Sequence, residues 1–148
     1  MRFLGNIEAK TDAKGRVFLP ATFRRILQDA KEEILVLRKD IHQDCLVLYP
    51  QSVWNSRIDT IMEHVNPFDR ESQMLLREFV SSAEELTLDG NGRFLIQRKF
   101  MQMAEIKQSV HFIGVDQVIE IWATEKVEKP FIPQEEFASK LSALMVNS

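Results

Sequence analysis

The residues best suited to chemistry in this chain are two arginines, each set in the same short pattern. Arg16 follows Asp12-Ala13-Lys14-Gly15, and Arg93 follows Asp89-Gly90-Asn91-Gly92. The guanidinium group of arginine can donate two parallel hydrogen bonds to a phosphate, or to O6 and N7 of guanine in the major groove of DNA. The pattern therefore predicts two arginines at the bases of exposed loops, each able to bind an acceptor of this kind.

Each pattern is typical of a tight turn between two strands. Aspartate at the first position can accept hydrogen bonds from the backbone ahead of it, and glycine three residues later can adopt positive φ at low cost. Apolar and β-branched residues flank both turns, which predicts a hairpin with a bulge at Gly15 and another at Gly92. Since Asp89 stands 77 positions after Asp12, we expect two related halves.

The elements after the turns also match between the halves. Pro20 can open a short helix, where its missing N–H costs nothing. The residues expected on the buried faces of these helices are Phe23, Ile26 and Leu27 in the first copy and Phe100, Met103 and Ala104 in the second. Two apolar strands follow each helix, at 34–37 and 46–49 in the first copy and at 110–115 and 118–122 in the second.

The sequence between the halves has a helical pattern. An amphipathic helix is predicted from near Gln51 or Ser52, and Asn66-Pro67 interrupts it. Asn66 is the predicted N-cap of a second helix. The residues that this helix is expected to carry inward are Leu75, Leu76, Phe79 and Val80.

A last helix is predicted over residues 134–145, with apolar residues at helical spacing. Either it covers the chain's own core, or it docks on another subunit. The expected organisation is therefore a first repeat over residues 1–50, a helical connector over 51–82, a second repeat over 83–126 and a C-terminal helical segment over 127–148.

Charge is distributed unevenly along the chain, whose net charge is −3. Residues 10–25 hold five lysines and arginines against one aspartate, whereas residues 116–136 hold six acidic residues against two lysines. Either the basic segment is simply a solvated face, or it attracts phosphates, which respond to cations within a Debye length of about 10 Å.

The sequence has no pattern typical of a disulfide framework, a metal site, a catalytic site or a membrane segment. Cys45 is the only cysteine and the three histidines are scattered, so neither a disulfide framework nor a metal site is predicted, and Cys45 is expected in the core rather than as a reactive thiol. No nucleophile turn, acid pair or complete phosphate loop is present, so we expect neither an enzyme nor a cofactor. Without a signal-peptide pattern or about 18 consecutive apolar residues, the expected location is the cytoplasm, with no membrane partner.

Several spaced motifs together make the chain resemble the MraZ family over residues 1–145. They are Asp-x-Lys-Gly-Arg-x-x-x-Pro at 12–20, Cys-Leu-x-Leu-Tyr-Pro at 45–50, Asn-Pro at 66–67 and Asp-x-x-Gly-Arg at 89–93. The resemblance implies an α+β fold of two tandem SpoVT/AbrB-type halves. These would be pseudo-symmetric β-α-β units with swapped hairpins around a small β-barrel-like core, joined by connecting helices and followed by a C-terminal helix.

The resemblance also implies a function. Proteins of this kind are bacterial transcription regulators, acting mainly as repressors, that bind short direct repeats of double-stranded DNA upstream of their own gene, at the head of the division and cell-wall gene cluster. We accordingly expect a nucleoid-associated homo-oligomer, in the form of a ring. The alternative is an oligomeric scaffold or antitoxin-like module whose basic turns bind acidic protein surfaces.

The candidate DNA-binding residues follow from the two motifs. Arg16 is the first candidate for base readout, and Asp12 and Gly15 shape the loop that presents it. The candidates for phosphate contact are Lys14, Arg24 and Arg25, with Lys10 as a further one. Arg24 and Arg25 could instead decorate the following helix without contacting DNA.

The candidates from the second motif are Asp89 and Arg93. For these two residues a structural role or a subunit contact is as good an expectation as DNA contact. Its turn has Asn91 in the place of Lys14, and Gln97 stands where the first copy has Pro20. This substitution could weaken the definition of the following helix. Since the second turn is less basic, DNA is expected first at Arg16.

Overall fold

In a computed structural model, the described residues, 1–147, form eight β-strands, five α-helices and a short 3-10 turn at Thr124–Lys126. The strands are β1 (Asn6–Lys10), β2 (Arg16–Phe18), β3 (Leu35–Lys39), β4 (Leu46–Pro50), β5 (Glu84–Leu86), β6 (Arg93–Leu95), β7 (Ser109–Val115) and β8 (Val118–Ala123). The helices are α1 (Ala21–Asp29), α2 (Gln51–Met62), α3 (Arg70–Ser81), α4 (Arg98–Met103) and α5 (Gln134–Val146). Within these residues, no helix has the length and apolar character needed to cross a membrane.

The two repeats exchange strands. A six-stranded antiparallel sheet has the order β1-β7-β8-β4-β3-β5, and β2 and β6 form a separate two-stranded sheet. The first strand of each repeat therefore pairs with the third strand of the other, as β1 does with β7 and β5 with β3. The α+β fold of two interlocked halves is confirmed. Because β1 and β5 lie at opposite edges of the six-stranded sheet, that sheet is open, and the core is barrel-like only in a loose sense.

The local prediction of a hairpin at each turn is wrong, although the turns themselves are present. The amide of Asp12 donates to the carbonyl of Arg16 (2.9 Å), and the amide of Gly15 donates to the carbonyl of Asp12 (3.0 Å). The two strands that flank the turn do not pair with each other. Strand β1 pairs with β7, and β2 pairs with β6. A local pattern specifies where the chain turns, but the partner of each strand depends on which apolar surface is available across the molecule.

Two of the strand pairs, β2–β6 and β4–β8, are symmetric about their centres. Val17 lies opposite Phe94 at the centre of the β2–β6 pair, and these residues occupy matching positions in the two repeats. Val47 lies opposite Glu120 in the same way at the centre of the β4–β8 pair. A local two-fold axis therefore relates the halves, and it passes through both pairs.

Helices α1 and α4 close the core between the sheets. Their phenylalanines, Phe23 and Phe100, are buried, and the ring of Phe23 meets that of Phe3 edge-on at 5.7 Å. The prediction that Met103 would be buried is wrong, since it is 43% exposed at the last turn of the six-residue α4. Met101 packs against the core instead.

The two short helices begin at matching positions despite the difference in sequence. Pro20 and Gln97 are the N-cap residues, each directly preceding its helix. Pro20 was predicted to be the first residue of the helix, and it lies one position before that residue. Replacing proline by Gln97 does not displace the start of α4, and the shorter length of that helix arises at its C-terminal end.

The helical connector is present, but its second helix starts later than predicted. Asp69 is the N-cap of α3, and its Oδ2 accepts a hydrogen bond from the amide of Ser72 (3.1 Å). Asn66 instead closes a turn, accepting from the amide of Phe68 (3.0 Å). Leu75 and Val80 are not carried inward, since their exposed fractions are 65% and 40%. Phe79 of the same helix stacks on Trp54.

The C-terminal helix is confirmed, whereas its proposed role as a cover for the core is wrong. No residue of α5 is buried. Phe131, just before the helix, lies against the ring of Trp122 at 5.0 Å, so the segment is attached at its start. The helix itself presents Phe137, Leu141 and Leu144 to solvent.

Candidate nucleic-acid interface

The first turn holds its arginine through the aspartate that opens it. Oδ1 of Asp12 accepts from the amides of Lys14 and Arg16, both at 2.9 Å, and Oδ2 accepts from Nε of Arg16 at 2.7 Å. The backbone hydrogen bond from Arg16 is the main reason why the pKa of Asp12 lies below its usual value. The ionised carboxylate fixes the guanidinium by one edge. Within residues 1–147, Nη1 and Nη2 of Arg16 have no acceptor.

The second turn repeats this geometry almost atom for atom. Oδ1 of Asp89 accepts from the amides of Asn91 and Arg93, both at 2.9 Å, and Oδ2 accepts from Nε of Arg93 at 3.0 Å. The amide of Arg93 is again the main cause of a lowered pKa, that of Asp89. Despite its less basic sequence, the second turn therefore presents its arginine as the first turn does.

Both arginines lie on the outer face of the β2–β6 pair, which we call the ribbon. Val17 and Phe94 point from its inner face into the core. On the outer face Arg16 is opposite Leu95 and Arg93 is opposite Phe18, whose ring centroid is 5.7 Å from Cζ of Arg93. The two arginine positions are two residue steps apart along the ribbon, about 7 Å. The outer face therefore carries the two arginines on one diagonal of the ribbon and two apolar side chains on the other.

Glycine is needed in each turn for its backbone conformation and for close packing. Gly15 has φ of +89° and Gly92 has φ of +83°. The carbonyl of Gly15 accepts from the amide of Ile96 (2.9 Å), and that of Gly92 accepts from the amide of Leu19 (3.0 Å). A Cβ atom at Gly15 would lie only 2.8 Å from the carbonyl oxygen of Ile96. Each turn is thus joined to the strand end of the other repeat.

A basic cleft of about 950 Å³ opens beside the first turn. Its cationic lining residues come from both repeats: Lys10 and Lys14 from the first, Arg98 and Lys107 from the second. Asp12 and Glu105 also line it, so the lining retains an excess of positive charge. Arg98 and Lys107 were missed in the sequence, because only the exchange of strands brings α4 and the segment after it to the first turn.

Comparison with known proteins agrees with this architecture of two repeats. A family model described as "MraZ protein, putative antitoxin-like" matches residues 2–78 and again residues 79–143. The chain belongs to the MraZ family.

Relatives with the name "Transcriptional regulator MraZ" occur in several bacteria. The chain is similar to the one from Phocaeicola vulgatus, with 56% identity over 98% of this chain and 94% of that protein. It is also similar to one from Bacteroides fragilis (52% identity, 98% and 92% covered) and to one from an Anaeromyxobacter species (36%, 81% and 82%). The chain is accordingly a transcription regulator and not an enzyme.

Arg24 of this MraZ-family chain does not join Lys14 and Arg16 at the first turn. Its Nη1 donates to the carbonyl of Asn91 in the second turn (3.3 Å), and its Nε is buried. The basic segment of residues 10–25 is therefore divided between the two turns. Arg25, the next residue, is exposed.

Cys45 is fully buried, as predicted, and burial raises the pKa of its thiol. In this MraZ-family fold it directly precedes β4. Its place in the core agrees with a packing role.

Proposed function

We propose that the chain is a sequence-specific DNA-binding repressor whose ribbon enters the major groove. The observation that carries this proposal is the pair of arginines, each fixed through Nε by an aspartate and each left with Nη1 and Nη2 for an outside acceptor. A two-stranded ribbon fits the major groove, which is about 12 Å wide. There Arg16 and Arg93 donate to O6 and N7 of guanine.

The apolar residues of the ribbon fit the same site. Phe18 is 53% exposed and lies opposite Arg93, and Leu95 is 49% exposed and lies opposite Arg16. An apolar side chain in the major groove can contact the C5 methyl group of thymine. A repeat in which guanines lie next to a thymine therefore suits this surface.

The basic cleft supplies the contacts that do not depend on sequence. Lys14, Lys10, Arg98 and Lys107 line one side of the first turn, where the DNA backbone passes when the ribbon is in the groove. Contacts to phosphates fix register and orientation, whereas contacts to base edges specify sequence. Arg25, exposed on α1, is a further phosphate contact.

The operator in this proposal is a set of short direct repeats upstream of the chain's own gene, at the head of the division and cell-wall cluster, and the protein is a nucleoid-associated ring of identical subunits. A ring needs a head-to-tail contact between two different surfaces. The exposed apolar face of α5 is one of them. The other is the apolar groove between α2 and α3, lined by Ile61, Val65, Leu75 and Leu76. Binding several repeats at once raises the affinity through effective concentration.

An equilibrium titration against the chain's own upstream DNA tests the proposal. Fragments with one repeat, with three repeats and with the same bases shuffled are compared at low and at physiological salt. We expect three repeats to bind more tightly than one, and one more tightly than the shuffled fragment. Equal affinity for the shuffled and repeated fragments would contradict specific readout.

The exposed α5 also favours a second candidate, an antitoxin-like or scaffold module that binds an acidic protein surface. In that case the basic turns would bind protein rather than DNA. Absence of any complex with the upstream fragments at low salt would favour this alternative.

A further inference from the structure

The two turns rest on different side chains, because each packs against the helix of the other repeat. Arg24 is the fourth residue of α1 and lies against the second turn, whereas Met101 is the fourth residue of α4 and lies against the first. A Cβ at Gly15 would be 3.5 Å from Sδ of Met101, and one at Gly92 would be 2.7 Å from Cδ of Arg24. Matching positions thus carry a thioether on one side and a cation on the other.

Arg24 is held by the second turn and is not a freely solvated surface cation. Its Nη1 donates to the carbonyl of Asn91 at 3.3 Å. Its Nε is buried and has no acceptor within residues 1–147. Because Asn91 lies between Asp89 and Arg93, this contact joins α1 to the loop that presents the second arginine.

We propose that Arg24 is a positioning residue for Arg93, and that the difference between Arg24 and Met101 makes the two halves of the ribbon unequal readers of DNA. This rests on the proposed DNA-binding function. A ribbon with two equivalent ends would fit a DNA repeat in either direction. Subunits of a ring that bind direct repeats must all bind in the same direction. The unequal supports add to the differences in sequence that already distinguish the two ends, Lys14 against Asn91 and Phe18 against Leu95.

Two single variants separate positioning from ordinary phosphate contact. Arg24→Met gives the second turn the support that the first turn has, and Met101 shows that a thioether fits beneath such a turn. Arg25→Met is the matched control, because it removes the same charge from the next residue of α1, which is exposed. Dissociation constants are measured for a panel of repeats in which each base is changed singly, and the bases read by each end are assigned from Arg16→Ala and Arg93→Ala.

We expect Arg24→Met to reduce base discrimination about tenfold at the positions assigned to Arg93, with the positions assigned to Arg16 unchanged. Arg25→Met should weaken all members of the panel evenly, since phosphate contacts carry no sequence information. An even loss in Arg24→Met, or a profile like that of the wild type, would overturn the proposal. If thermal melting shows that Arg24→Met is unfolded, Arg24→Lys, which keeps the stem and charge but lacks the planar fork, should give the same position-specific loss.

Hydrogen exchange of the free protein separates failure of this inference from failure of DNA binding. The amides of Asn91 and Arg93 should exchange about tenfold faster in Arg24→Met and at the wild-type rate in Arg25→Met. Unchanged exchange in Arg24→Met would overturn the positioning role. If the wild type binds no repeat, the proposed function fails and the orientation of the ribbon fails with it, while the exchange rates still decide whether Arg24 holds the second turn.

Discussion

The amide of Ile96 donates a hydrogen bond to the carbonyl of Gly15, so the turn of the first repeat is held by the second repeat. Leu19 and Gly92 make the reciprocal bond. Each turn holds its own arginine through its aspartate, but the ribbon that carries both arginines needs one strand from each repeat. The unit that reads DNA in the proposed function is the whole interlocked pair.

Replacing either arginine of the ribbon by alanine should weaken binding to the repeat and relax its sequence preference. Since a bidentate contact to guanine contributes about 1–3 kcal/mol of discrimination, Arg16→Ala and Arg93→Ala should each lose roughly 5- to 150-fold in affinity. Arg77→Ala, which removes an exposed arginine from α3, is the control. Wild-type affinity in a folded Arg16→Ala variant would falsify the role of that residue.

The lysines and arginines of the basic cleft should contribute to DNA affinity by releasing counterions from the phosphates. The logarithm of the binding constant should fall with the logarithm of salt concentration, by about 0.9 per phosphate neutralised. Lys14→Ala and Arg98→Ala should each reduce this slope by about 1. Lys129→Ala, in the acidic segment, should leave the slope unchanged; an unaltered slope in Arg98→Ala would remove that residue from the interface.

Glycine should be required at position 15 and dispensable at position 90. Gly15→Ala places a side chain at positive φ, which costs about 1–2 kcal/mol, and its Cβ would lie 2.8 Å from the carbonyl oxygen of Ile96. Urea denaturation should show a lower free energy of unfolding. A Cβ at Gly90 meets nothing within 4 Å, so Gly90→Ala is the matched control and should be nearly neutral; equal effects of the two variants would contradict the fold of the turn.

The stability of the two turns should depend on pH only at acidic pH. The folded-state pKa of Asp12 is lowered from 3.8, so its contribution to stability is fully present above pH 3.8 and is lost as the pH falls through the lower folded value. The same direction holds for Asp89. The carboxyl carbon shift of Asp12, followed by NMR, should titrate with a midpoint below 3.8. A midpoint at or above that value would mean that the bonds to Arg16 do not persist in solution.

Removing the C-terminal helix should change assembly and not folding. Because no residue of α5 is buried, a chain that ends at Pro133 should unfold with nearly the same free energy, while its assembled mass falls. Leu141→Lys should have the same effect on mass, and Ser142→Lys is its control on the neighbouring exposed position. A full-size assembly of the truncated chain would exclude α5 from the subunit contact.

The sequence was informative where contacts are local. The turn of Asp12 and Gly15 is complete within five residues, so its residue types were sufficient to predict it. The partner of β1 was not predictable in this way, because Ile7 indicates a half-buried strand but not that Phe112 will lie opposite it. The position of Arg24 was missed for the same reason, since only the exchange of strands carries α1 to the second turn.

The covalent joining of the two repeats has a consequence for how the ribbon can change over time. In a symmetric homodimer, one codon encodes both copies of a side chain, and a substitution alters both ends of the reading surface together. Here Lys14 and Asn91, like Arg24 and Met101, are encoded separately. In the proposed function, one end can therefore adapt to a changed base while the other still binds the original operator, so changes in the operator can be matched one substitution at a time.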